Sequence, residues 1–118
     1  MSNKLPNYLR THRKHAALSQ EEVAFLLGLS NGNKISRHEH SACVPSIEAL
    51  LAYELIFGVP PRTLFAGTFE KVEERVTERA QELLAKLAVE EPSRLTSRKL
   101  VALGRLIPGT EILRHEVP

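Results

Sequence analysis

The segment Asn33-Lys34-Ile35-Ser36-Arg37-His38 sets an amide, a hydroxyl, an imidazole and two cations around one branched apolar residue. If the stretch is helical and turns Ile35 inward, the 3.6-residue period leaves Asn33, Lys34, Ser36, Arg37 and His38 largely outward. The chemistry open to such a face is hydrogen bonding to flat, edge-on partners. An Asn amide matches the major-groove edge of adenine, and an Arg guanidinium matches that of guanine. Asn31 and Gly32 extend the same set, and Gln20, at the start of an upstream helix, is placed to hold a phosphate. The candidate groove-facing residues are therefore Gln20, Asn31, Gly32, Asn33, Lys34, Ser36, Arg37 and His38.

Other chemistries lack their groups. Side chains two apart on a helix point in nearly opposite directions, so His38 and His40 cannot chelate together there. His12 and His15 have helical spacing but no third ligand, so no metal is expected. The chain contains no Asp, a single Cys, no glycine-rich phosphate loop, and no Ser/His/acid grouping that a helical framework would assemble. These absences argue against an enzyme, and nothing calls for a cofactor.

The elements that must position the polar segment are legible. Ser19 and Glu22 form a capping box, which starts a helix near Gln20. Val23, Ala24, Leu26 and Leu27 give that helix one apolar face, and Gly28 can take the left-handed conformation that ends it. Leu29 is the one large apolar residue in the turn that follows. A second helix then carries Ile35 inward and a polar, basic face outward.

Gln20, Ala24, Leu27-Gly28-Leu29-Ser30, Ile35-Ser36-Arg37 and Glu39 resemble the pattern of the Cro/repressor-type (XRE-like) helix-turn-helix proteins. Leu9-Arg10, Arg13 and Leu18-Ser19 continue the match upstream. Pro45-Ser46, Leu50, Phe57-Gly58-Val59 and Leu64-Phe65 continue it downstream, so that it covers residues 5–66. The resemblance implies a five-helix lambda-repressor-like domain whose second helix of the pair enters the DNA major groove. It also implies an ion pair between Arg13 and Glu39. One departure stands out: four residues, Asn31 to Lys34, separate Ser30 from Ile35, where the family has three. Asn31 then falls where the family's capping serine sits, and Asn is as good an N-cap as Ser.

The rest of the chain supplies a frame and an extension. A helix opening at Pro6-Asn7 and running to His15 or Ala16 should face Tyr8, Leu9 and His12 inward. Ser46 caps a helix, Ile47 to Phe57, that is apolar almost all round and so reads as the central core element. Gly58 stops it, and Pro60-Pro61 start a short fifth helix ending at Leu64-Phe65. From Phe69 to Val89, the residues Phe69, Val72, Val76, Ala80, Leu83, Leu84 and Leu87 form a stripe on a charged helix that ends by Pro92. A last helix opens at Leu95-Thr96, with Leu95 and Leu100 as a hydrophobic staple and Leu100, Leu103, Leu106 and Ile107 as its face. Pro108-Gly109 breaks it.

The 118 residues suit one small domain with an appendage, and 42% apolar residues are enough for a modest core. The net charge of +2 is unevenly spread, with basic ends and an acidic middle. With Cys43 alone, no intrachain disulfide or cysteine-based metal site can form, which suits a reducing cytosol. MSNKLPNYLR lacks the apolar core of a signal peptide and no run approaches a membrane span, so a cytoplasmic protein with no membrane partner is expected. The resulting expectation is an all-α regulator of transcription that binds double-stranded DNA through residues 1–66. Residues 67–118 should make a homodimer by burying Val76, Leu83, Leu84 and Leu87. The alternative is an antitoxin or partner-recruiting regulator whose C-terminal helices grip a second protein such as a toxin.

Overall fold

The computed structural model describes residues 7–107; the arm Met1–Leu5, the helix-opening Pro6, the Pro108-Gly109 break and the tail beyond it lie outside the described residues. Among the described residues there are seven helices and no strand, so the fold is all-α. They are α1 (Leu9–His15), α2 (Gln20–Leu26), α3 (Asn33–Glu39), α4 (Ile47–Phe57), α5 (Pro61–Leu64), α6 (Ala66–Leu87) and α7 (Arg94–Gly104). The chain divides into two compact units, Met1–Glu70 and Lys71–Pro118, with α6 running through the division.

In the N-terminal unit, Leu9, Val23, Ala24, Ile35, Ala49, Tyr53 and Leu64 form the buried core, ringed by half-buried Leu18, Leu27, Leu29 and Phe65 among others. The Ser19–Glu22 capping box forms in full: Ser19 Oγ accepts the Glu22 N–H at 3.0 Å and Glu22 Oε1 accepts the Ser19 N–H at 2.8 Å. α1 starts at Leu9, later than expected, because Asn7 stays outside the helix and accepts the Leu9 N–H on its Oδ1 at 3.0 Å. Tyr8, expected inward, is exposed, while His12 is half-buried near Phe57.

Three helices end in the same way. The carbonyls of Arg13, Ala24 and Arg37 accept the N–H five residues on, from Leu18, Leu29 and Ala42, and a second bond nests inside each. This paired motif needs a left-handed residue, supplied by Ala17 (φ 61°), Gly28 (φ 78°) and Ser41 (φ 57°). Gly28 adopts it freely, whereas Ala17 and Ser41 each carry a cost of about 1–2 kcal/mol. The satisfied carbonyls and the inward turn of Leu18 and Leu29 offset it.

Several inward expectations need correction. Leu26 is exposed because Val23, Ala24 and Leu27 already fill the side of α2 that meets the core. α4 is capped by Ser46, whose Oγ accepts the Ala49 N–H, and is stopped by left-handed Gly58. It is not buried all round: Ala49 and Tyr53 face the core, while Ile47, Leu51 and Leu55 lie at four-residue intervals on an exposed face. A helix at the edge of a small domain has only one side to bury, whatever its composition.

In the C-terminal unit, Ala80, Leu87, Thr96, Gly104 and Ile107 are buried. Ser93 caps α7 by accepting the Thr96 N–H at 3.1 Å. Leu95 therefore lies within the first turn rather than before the cap, and it is exposed, so the expected staple with Leu100 does not form. α7 ends at Gly104, which leaves Leu106 exposed and Ile107 buried after the helix.

The turn between α2 and α3 holds one small residue at a close approach. A Cβ on Gly32 would come within 2.9 Å of Glu21 Oε2 and 3.1 Å of the Gln20 carbonyl carbon and Cβ. Gly32→Ala should therefore displace the Glu21 carboxylate that accepts the residue-32 N–H and destabilise the N-terminal unit by about 1 kcal/mol. Urea unfolding checks this, and an unchanged midpoint would show that the close approach is not needed.

Candidate nucleic-acid interface

α3 is a seven-residue helix held on two sides. Ile35 is buried in the core, and at the far end Glu39, its side chain 2% exposed, receives three donors. Arg13 of α1, 11% exposed, gives Nε to Oε2 at 2.5 Å and a second nitrogen to Oε1 at 3.2 Å. Gln20 of α2 gives its side-chain N–H to Oε1 at 3.0 Å. Arg13 also donates to the Leu18 carbonyl at 3.0 Å, so one guanidinium ties α1, the α1–α2 turn and α3 together. The hydrogen bond to Glu39 is the main reason that the Arg13 pKa lies above its ordinary value.

The start of α3 is held differently from the expected cap. Gly32, not Asn31, is the capping residue, and its N–H is accepted by Glu21 Oε2 at 2.9 Å. Asn31 acts one step earlier, its Oδ1 accepting the Asn33 N–H at 2.9 Å. Gly32 is buried rather than groove-facing, because the first turn of α2 lies against it. No feature of Glu21 in the sequence marks it as a partner for a turn eleven residues away.

His38 is the second correction on α3. It is 3% exposed, with Nδ1 2.6 Å from the Tyr53 hydroxyl and the two rings edge to face. His38 stands three residues after Ile35, so the helical period places the two on one side. The buried phenol gives the imidazole a polar partner there. Burial, and then the nearby Lys34 cation, lower the His38 pKa. Burial, followed by the charges of Glu39 and Cys43, raises that of Tyr53 well above the usual phenol range.

What remains outward on and before α3 is Asn31, Asn33, Lys34 and Arg37, with Ser36 half-buried. His40, set aside in the sequence because it could not chelate with His38, is exposed one turn beyond Ser36 and has Nδ1 2.8 Å from the Ser36 carbonyl oxygen. Gln20 is half-buried with one amide hydrogen committed to Glu39, which leaves the other for a further acceptor. In the C-terminal unit, Val76 and Leu83 are exposed and Leu84 is half-buried, but Leu87 is buried within the chain and cannot serve a dimer axis. Among the described residues no group of three or more His, Cys or Glu could hold a metal ion, and no helix is long and apolar enough to cross a membrane. No family model, curated protein or solved structure matches this chain.

Two outcomes follow from this geometry. Glu39→Ala would leave Arg13 largely buried without its carboxylate and release Gln20, so it should destabilise the unit by roughly 3–5 kcal/mol, with Arg13→Ala coupled to it in a double-mutant cycle. Coupling indistinguishable from zero by urea unfolding would end the claim. Because the His38 pKa is lower in the folded state than in the unfolded state, the unfolded chain takes up the proton first. The stability from neutral His38 is thus fully present above its ordinary pKa of 6.5 and is lost as pH falls through the lowered folded value. Urea midpoints should decline from about pH 7 toward about pH 5, and His38→Gln should remove that part of the slope; equal slopes in both proteins would assign the decline elsewhere.

Proposed function

We propose that the N-terminal unit is a Cro/repressor-type helix-turn-helix domain formed by α1–α5, and that it reads the major groove of double-stranded DNA with α3 in a cytosolic regulator of transcription. The observation that carries this reading is the division of α3 into two faces. Its inner face is pinned by Ile35, His38 and the Arg13–Glu39–Gln20 network, while Asn33, Lys34 and Arg37 stay exposed on the other. A rigid short helix that presents an amide and a guanidinium suits recognition of adenine and guanine edges, with Lys34 free to meet a phosphate. Exposed Arg10 and Lys14 on α1 add positive charge without any acid in residues 7–20. Gln20 keeps a role here as a phosphate contact through its remaining N–H. The burial of His38 and Gly32 removes them from the reading set.

For α6 and α7 a second reading is favoured over self-association. Leu87 is covered within the chain, and the apolar residues left open on α6 are bordered by cations on one side. This suits the gripping of a different protein, as in an antitoxin or a partner-recruiting regulator, better than the pairing of two identical helices.

Selecting bound sites from random duplex DNA tests the readout. The protein should enrich a defined short sequence. Arg37→Ala and Asn33→Ala should each flatten preference at particular base pairs by roughly 1–3 kcal/mol while leaving others intact. If neither substitution alters the ranking of sites, α3 is not the reading helix.

A further inference from the structure

The apolar stripe of α6 within the C-terminal unit is covered on one flank and open on the other. Along the covered flank Ala80 and Leu87 are buried, and Thr77 and Leu84 are half-buried. The Thr77 hydroxyl donates to the Leu106 carbonyl at 3.2 Å, which fastens the segment after α7 to this side. Along the open flank Val72, Val76 and Leu83 are 43%, 41% and 44% exposed. Three positions after each of them stands a cation: Arg75, Arg79 and Lys86. That spacing sets each apolar residue beside its cation on the helix surface. All three cations are exposed, and none forms an ion pair among the described residues. Glu78 and Glu82 lie beyond the cations, further round the helix from the apolar edge.

We propose that this open flank is the docking site for one helix of a different protein, an amphipathic helix with acidic residues along the border of its apolar stripe. The proposal rests on the partner-binding reading of α6 and α7 and is independent of the DNA reading of α3.

Symmetry argues against a second copy as the occupant. A two-fold axis that pairs two α6 helices antiparallel brings the same flank of each together, so Arg75, Arg79 and Lys86 would face their own equivalents, and like charges set side by side are unfavourable. A parallel pair sets the cationic flank of one helix against the opposite flank of the other, and that flank is already covered along Thr77, Ala80 and Leu84. An acidic border on a foreign helix meets both demands: it covers the apolar edge and pairs the cations. A nucleic-acid backbone would pair the cations but leave Val72, Val76 and Leu83 in water.

The full-length triple variant R75E/R79E/K86E serves as the probe, since its α6 carries the same apolar edge with an acidic border. The three positions are exposed, and far-ultraviolet circular dichroism verifies that the helices persist. At about tens of micromolar, wild type and variant should each sediment as monomers. An equimolar mixture should sediment as a one-to-one heterodimer that dissociates as salt is raised and that is lost when Val76→Ser is added to both chains. Wild type that sediments alone as a dimer would overturn the partner reading itself and give the flank to a second copy. Monomeric wild type with a mixture that also stays monomeric would overturn only the acidic-helix chemistry. A loss of roughly tenfold or more in the affinity of the variant for random-sequence duplex DNA would assign the cations to phosphate and overturn the proposal as well.

Discussion

The N-terminal unit depends on one buried carboxylate. Glu39 ends α3, and the charge it carries would be costly to bury without partners, so the fold brings it an arginine from α1 and an amide from α2. Three short helices are thereby tied to one another. The same network occupies the Arg13 guanidinium and one amide hydrogen of Gln20. A buried ion pair gains little over an apolar contact of equal size, but it tolerates few alternative arrangements. In the proposed reading of α3, fixed placement of its outward side chains matters more than net stability.

Around that anchor the turns are built from backbone hydrogen bonds more than from side-chain caps. α1, α2 and α3 all close with a left-handed residue and paired carbonyl bonds, although only α2 has a glycine for the purpose. The turn between α2 and α3 packs Gly32 against the first turn of α2, with the Glu21 carboxylate accepting the Gly32 N–H. A side chain at that point would crowd the Glu21 carboxylate and the start of α2. The effect is to start α3 at Asn33, which brings Ile35 and His38 inward together and leaves Asn33, Lys34 and Arg37 outside.

The C-terminal unit has a different logic. Its long helix presents more apolar length than the short helix after it can cover, so the stripe is divided lengthwise into a buried flank and an open one. The open flank is edged by cations, and Glu78 and Glu82 lie next to those cations on the side away from the apolar edge. Charge placed beside an uncovered apolar edge selects among partners more than it strengthens any one of them.

Local rules determined much of this protein from its sequence. The Ser19–Glu22 box, the glycine stops at Gly28 and Gly58, the Ser46 cap and the proline start of α5 each act within a few residues, so they could be read without knowing what packs where. The inward place of Ile35 was equally legible, because a single branched apolar residue among polar ones has one direction to go. Only the tertiary structure decided the rest. The 3.6-residue period with Ile35 inward leaves His38 at the border of the outward face, and only the packing turns it in, because Tyr53, fifteen residues on, supplies a buried polar partner. The cap at Gly32 comes from Glu21, eleven residues back. α4 reads as apolar all round, yet the edge position that exposes Ile47, Leu51 and Leu55 depends on what the other helices leave uncovered. Leu87 reads like any other member of its stripe, and its burial depends on packing within the folded chain. In each case the deciding contact joins residues that the sequence holds apart, and a one-dimensional pattern carries no distance between them.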